Sequence, residues 1–178
     1  MRVLVYATIF AMYLFITSTT YAQRLPGDER GFVNRKNNRY GTPFCEGHIG
    51  LNNSARNRLK GAPVLLNDKH AQVLFEQFQK TISHRCWALY GVAIMPNHVH
   101  LLVETRDDTE PEKVAGDLKS FGSRRLSEVF GKPDAGTWWT SGCSIRRKTA
   151  EAIPDVIGYI KNQRNALLVW ITPEYDVE

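Results

Sequence analysis

The order of segments predicts an α+β sandwich: strand, helix, two strands, helix and strand, then one more helix and strand. Three observations carry that prediction. "WALYGVAI" and "HVHLLVE" are strand-forming runs separated only by "MPN", so 87–104 reads as a β-hairpin. Leu74, Phe75, Phe78 and Ile82 fall on one helical stripe, and Val114, Leu118, Phe121, Leu126, Val129 and Phe130 on another. The helices therefore bracket the hairpin, which suits a ferredoxin-like split β-α-β sandwich: an antiparallel sheet with helices on one face and an added C-terminal helix. At 178 residues with 43% hydrophobic content, the chain has the size and composition of one globular domain.

Each element has a local reason. "YLFITSTTY" is β-branched and aromatic, so it reads as a first strand. The preceding Arg2, apolar run and small Ala22 also imitate a secretory signal peptide, and the residues alone leave both readings open. A long Gly/Asn/Arg-rich connection over about 23–66 lacks periodicity, short elements aside. Asn67 or Asp68 can cap the first helix. In "MPN", Pro96 fixes a turn dihedral and Asn97 tolerates a left-handed one. The next helix runs from about Pro111 to Phe130, with Gly122 its weak point. "GTWWTSGCSIRRK" fits a short hairpin or strand, "AEAIPDVIGYIKNQRN" a helix with Pro154 in its first turn, and "ALLVWIT" a last strand.

The net charge of +5 is uneven. Eight Lys/Arg and three Asp/Glu lie between Arg24 and Lys60, and Arg146, Arg147 and Lys148 form a second knot. Basic patches flanked by aromatics suit a phosphate-bearing partner, although a solvated surface is the commoner explanation for any single cluster. Cys45, Cys86 and Cys143 are odd in number and widely spaced, which excludes a CxxC zinc knuckle or a disulfide scaffold and leaves reduced, structural thiols.

His98 and His100 stand one residue apart in the second hairpin strand. Alternation puts them on one face with Leu102, while Val99, Leu101 and Val103 pack on the helices. Two imidazoles on an open sheet face, roughly 7 Å apart by strand geometry, can share one metal ion or simply be a hydrogen-bonded pair. A histidine-triad hydrolase would need a third histidine where Leu102 stands. His48, His70 and His84 have no geometric claim on the site. On the last helix Ile153, Val156, Ile157 and Ile160 form the buried stripe, and Asp155, Tyr159 and Gln163 a polar one at i, i+4, i+8. By itself that stripe is an ordinary solvated face. Combined with the histidine strand, it offers two imidazoles, a carboxamide oxygen and a phenol.

"GVAIMPNHVHLLVE", "DLKSFGSRRL" and "IGYIKNQ" together resemble the single-tyrosine HUH transposases of insertion sequences and their REP-associated tyrosine transposase relatives. "YLFITSTTYAQRLPGDERGFV" and "GTWWTSG" are similar to the family's opening strand and loop and to the segment before its tyrosine helix. The resemblance covers Tyr13 to Ile171 as a single domain, leaving 1–12 as an unexplained extension. It favours the strand over the signal peptide, and hence a cytoplasmic location with no membrane partner.

The resemblance implies that His98-Val99-His100 is the HUH motif and Tyr159 the catalytic nucleophile. Gln163 would complete a site for a divalent metal ion, Mg²⁺ or Mn²⁺, with His98 and His100. Many REP-associated members carry Asn before Pro at that place, whereas this chain has Asn162-Gln163-Arg164. The implied reaction is cleavage and rejoining of single-stranded DNA, usually a hairpin, through a 5′-phosphotyrosine, in a homodimer or a monomer. DNA contacts are expected from Arg146, Arg147, Lys148, Lys161 and Arg164, and from Arg35, Lys36 and Arg39 in the connection. Trp87, Trp138, Trp139 and Tyr40 are base-stacking or core residues. A catalytically inactive single-strand-binding module on the same fold is the rival reading, and a secreted zinc-binding protein a third.

Overall fold

The computed structural model describes residues 11–29, 31 and 45–176. Among the described residues, nine strands and α-helices follow in order: β1 (Ala11–Thr19), α1 (Ile49–Asn57), α2 (Asp68–His84), β2 (Ala88–Ile94), β3 (His98–Arg106), α3 (Pro111–Phe130), β4 (Ser144–Lys148), α4 (Ile153–Lys161) and β5 (Leu168–Ile171). Short 3₁₀ turns lie at Ala150–Ala152 and Pro173–Tyr175. The strands form one sheet in the order β4-β1-β3-β2-β5, with every neighbouring pair antiparallel. The first four strands are the split β-α-β arrangement, to which β5 adds an edge.

Helices α2 and α3 cover one face. Leu14, Ile16, Val92, Ile94, Val99, Leu101 and Val103 from the sheet meet Leu74, Phe78, Val114, Leu118 and Leu126 from the helices. Asn67 caps α2 in a reciprocal box: its side chain accepts from His70 N–H, while His70 Nδ1 accepts from Asn67 N–H. Gly122 is a close-approach point rather than a weak point. A Cβ there would stand 2.7 Å from Leu74 Cδ1, so its absence lets α2 and α3 pack tightly.

The opposite face is not open, contrary to the expectation from strand alternation. Helix α4 lies on it, where Ile153, Val156, Ile157 and Ile160 pack on Ala93, Met95, Leu102 and Ile171. A register shift between Leu89 and Gly91 leaves Tyr90 as an extra residue. Tyr90 packs against this second cluster, and Gly91, opposite Leu102, faces it too.

Four local readings are sharpened by the fold. The long connection contains α1, with His48 as its cap. Asn97 does not take a left-handed conformation; Ala22, Cys86 and Asn165 do. Helix α4 ends at Lys161, so Gln163 lies just beyond it. Trp138 and Trp139 are 5% exposed and belong to the core with their indole nitrogens donating to Ser127 Oγ and Lys119 O, while Trp87 packs half-buried against it. None of the three is a free stacking platform, and Tyr40 lies outside the described residues. Among the described residues, none of the three cysteines is in a disulfide. Among the described residues, no helix is long and apolar enough to cross a membrane.

Candidate active site

The site is assembled from β1, β3 and α4. In the β1–β3 ladder Thr17 is opposite His100 and Thr19 opposite His98, so these four side chains share the face under α4. His100 is 4% exposed, stacked on Phe15 with ring centroids 5.4 Å apart. His98 stands at its side, 4.7 Å between centroids and edge-on, closer than strand spacing alone suggests. Tyr159 projects from α4 above them, half exposed, with its ring 5.2 Å from that of His100 and 5.8 Å from that of Phe15. Its Oη is 3.4 Å from His100 Nε2. Phenol and imidazole pair meet within a single chain.

Both histidines use Nδ1 for a protein partner. His100 Nδ1 is 2.8 Å from Thr17 Oγ1, and His98 Nδ1 is 2.6 Å from Asn97 Oδ1. The Nε2 of His98 is thereby left for another ligand, and that of His100 is turned towards Tyr159 Oη. Burial pushes the His100 pKa down to about 4, helped by the nearby His98. Burial and then the charge of Arg24 push that of His98 down as well. Both rings are therefore held neutral at pH 7, the form that ligates a cation.

The third expected ligand stands differently. Gln163 Nε2 donates to the Tyr159 carbonyl at 3.0 Å, which ties the carboxamide to the last turn of α4. Among the described residues, no group of three or more His, Cys, Asp and Glu is arranged to hold a metal. A cation on the two imidazoles would need a ligand of another type, and the Gln163 oxygen is of that type.

The expected DNA-contacting residues scatter. Arg146, Arg147 and Lys148 lie on the sheet-edge strand β4; Arg146 and Lys148 pair with Phe15 and Tyr13 and so share the site face, while Arg147 pairs with Leu14 and faces away. Lys161 is engaged by Asp176 at 2.9 Å, and Arg164 is exposed just past α4. Arg35, Lys36 and Arg39 lie outside the described residues. Thr17, Asn97 and Phe15 escaped the sequence reading. Period-2 alternation marks Phe15 and Thr17 as sharing a face, but only the strand register sets Thr17 against His100.

Comparison with known proteins gives the family. No curated protein matches the chain. Over 88% of this chain and 94% of the other, the fold is similar to a crystal structure described as a candidate transposase from Deinococcus radiodurans, with 16% identity and a TM-score of 0.52. A structure of a REP-associated tyrosine transposase bound to a REP hairpin aligns with 87% of this chain and 75% of its own, at 10% identity and a TM-score of 0.47. The family described as "Transposase IS200 like" matches residues 58–163, a segment that holds His98, His100, Tyr159 and Gln163. As that match spans more than half of the 178 residues, the chain belongs to the IS200-like transposase family.

Proposed function

We propose that this transposase-family protein cleaves and rejoins single-stranded DNA, with Tyr159 as the nucleophile. The observation that carries the reading is the 3.4 Å approach of Tyr159 Oη to His100 Nε2 inside one chain. The Tyr159 oxygen forms a bond to the scissile phosphorus, the bond to the 3′ oxygen breaks, and the 3′ end leaves as a hydroxyl. One phosphoester replaces another, so no ATP is consumed. A second 3′-hydroxyl reverses the exchange and joins a new strand to the retained 5′ phosphate.

His98, His100 and Gln163 would hold the divalent ion, Mg²⁺ or Mn²⁺, and the donor set fits: two neutral imidazoles with Nε2 available and one amide oxygen. When bound, such an ion supplies Lewis-acid stabilisation of charge on a phosphate oxygen. Tyr159 is half exposed, so a strand on the surface has access to it, while partly buried Phe15 and buried Ile160 fix its approach. Arg146 and Lys148, on the same face at the sheet edge, and Arg164 beyond α4 would receive the flanking phosphates. A hairpin is the proposed form of the substrate.

The test is incubation with labelled hairpin single strands and Mn²⁺, followed by denaturing electrophoresis. An SDS-resistant protein–DNA adduct that disappears in Tyr159→Phe is expected. An adduct that survives Tyr159→Phe removes the nucleophile assignment. DNA binding without an adduct for any hairpin or metal tried supports the inactive binding module instead.

A further inference from the structure

We infer that Asn97 and Thr17 are positioning residues that set which nitrogen of each imidazole can hold a cation. The inference rests on the reading of His98 and His100 as ligands. The Asn97 carboxamide oxygen accepts only, so at 2.6 Å it requires the hydrogen of His98 to sit on Nδ1. The lone pair of His98 is then on Nε2.

Thr17 acts on His100 from the neighbouring strand. Its hydroxyl lies 2.8 Å from Nδ1, and the inferred role is to accept the Nδ1 hydrogen, which leaves the lone pair on Nε2, the nitrogen that faces Tyr159. The two devices are built differently. Asn97 belongs to the β2–β3 connection and its backbone carbonyl is held by Thr20 N–H and Thr20 Oγ1 at 2.9 and 3.1 Å. Thr17 is fixed by the β1–β3 register, which places it directly opposite His100. Partners on the far nitrogen of a metal-bound histidine orient the ring and raise its basicity, and their loss typically weakens metal affinity by about 10–100-fold.

The experiment titrates Mn²⁺ into the full chain, with free Mn²⁺ followed by its EPR signal. ¹⁵N NMR of the metal-free protein reports the histidine tautomers separately. Asn97→Ala and Thr17→Val should each weaken Mn²⁺ binding by about 10–100-fold, and the Nδ1–H signature of the corresponding ring should become mixed. Asn97→Asp and Thr17→Ser retain an acceptor and should keep or tighten the affinity. Folded Asn97→Ala and Thr17→Val proteins with wild-type affinity and tautomers would overturn the inference. If either variant fails to fold, its conservative counterpart decides, because loss of affinity with the acceptor retained also overturns it. A wild-type protein that takes up no Mn²⁺ defeats the underlying ligand assignment instead, and the tautomer spectra tell the two failures apart.

Discussion

Gly91 offers the sharpest test of how the fold seats Tyr159. A Cβ at Gly91 would lie 2.9 Å from Ile171 Cδ1, 3.3 Å from Ile160 Cδ1 and 3.7 Å from Ile160 Cγ2. The terminal methyls can give way by a few tenths of an ångström. For Gly91→Ala that small strain works against a gain of about 0.4–1 kcal/mol from the less flexible unfolded chain, so stability should barely change. Gly91→Val adds two methyl groups beneath Ile160, which is 0% exposed, and that bulk exceeds what a shift of a few tenths of an ångström absorbs. Overpacking of this kind costs about 1–3 kcal/mol. At about 2–4 °C per kcal/mol for a chain of this size, Tm should fall by about 2–12 °C.

Ile160 is also the residue after Tyr159. Pressure on it lifts α4, and a misplacement of about 1 Å at a reacting group costs on the order of 10²-fold in rate. The assay pairs thermal unfolding with the rate of adduct formation on hairpin DNA, measured below the melting range of both variants. Alanine should leave both readouts near wild type, and valine should lower both. Wild-type melting and wild-type rate in Gly91→Val would refute the claim that tight packing of α4 on β2 places the tyrosine.

Three further outcomes follow from the same geometry. His98 and His100 are both held below the ordinary imidazole value of 6.5, His100 at about 4, so the unfolded chain binds more protons in that interval. Their contribution to stability is complete above about pH 6.5 and is lost as pH falls towards 4; the urea midpoint in EDTA should drop across that window, and less steeply in His100→Asn. Trp138→Ala should cost about 3–5 kcal/mol in urea unfolding while leaving DNA affinity of the folded protein unchanged, because the ring is core rather than surface. Asp176→Asn breaks an ion pair whose carboxylate is 59% exposed, so it should cost no more than about 1 kcal/mol, and freeing Lys161 should keep or strengthen binding to single-stranded DNA. A steeper loss of stability, or weaker DNA binding, would contradict that account.

Much of the scaffold was legible because local signals agreed with one another. Helix α3 spans the predicted residues since its apolar stripe and the Pro111 start coincide, and the hairpin forms because two strand runs flank a three-residue turn. The Val99, Leu101 and Val103 face packs on α2 and α3 as alternation requires. The tryptophans were ambiguous for a physical reason: an indole serves a core or a base equally well, and only the chain path from α3 to β4 buries Trp138 and Trp139. Helix α1 was illegible because it buries no residue and carries no apolar stripe to detect.

By itself, the sequence determined that two imidazoles share one strand face and that a tyrosine stands one turn before a glutamine. The first follows from the strand period of 2.0 residues, and the second is a matter of chain spacing, since α4 ends at Lys161 and Gln163 lies just past it. Whether the groups meet was decided only by the fold. The chain order of strands does not give their spatial order, and the added helix could in principle have packed anywhere with an apolar surface. The arrangement β4-β1-β3-β2-β5 puts His100 at the sheet centre, sets Thr17 beside it, and leaves Ala93, Leu102 and Ile171 as the apolar floor for α4. Burial of that floor is what brings Tyr159 down onto His100, and it also closes the face that strand alternation alone left open.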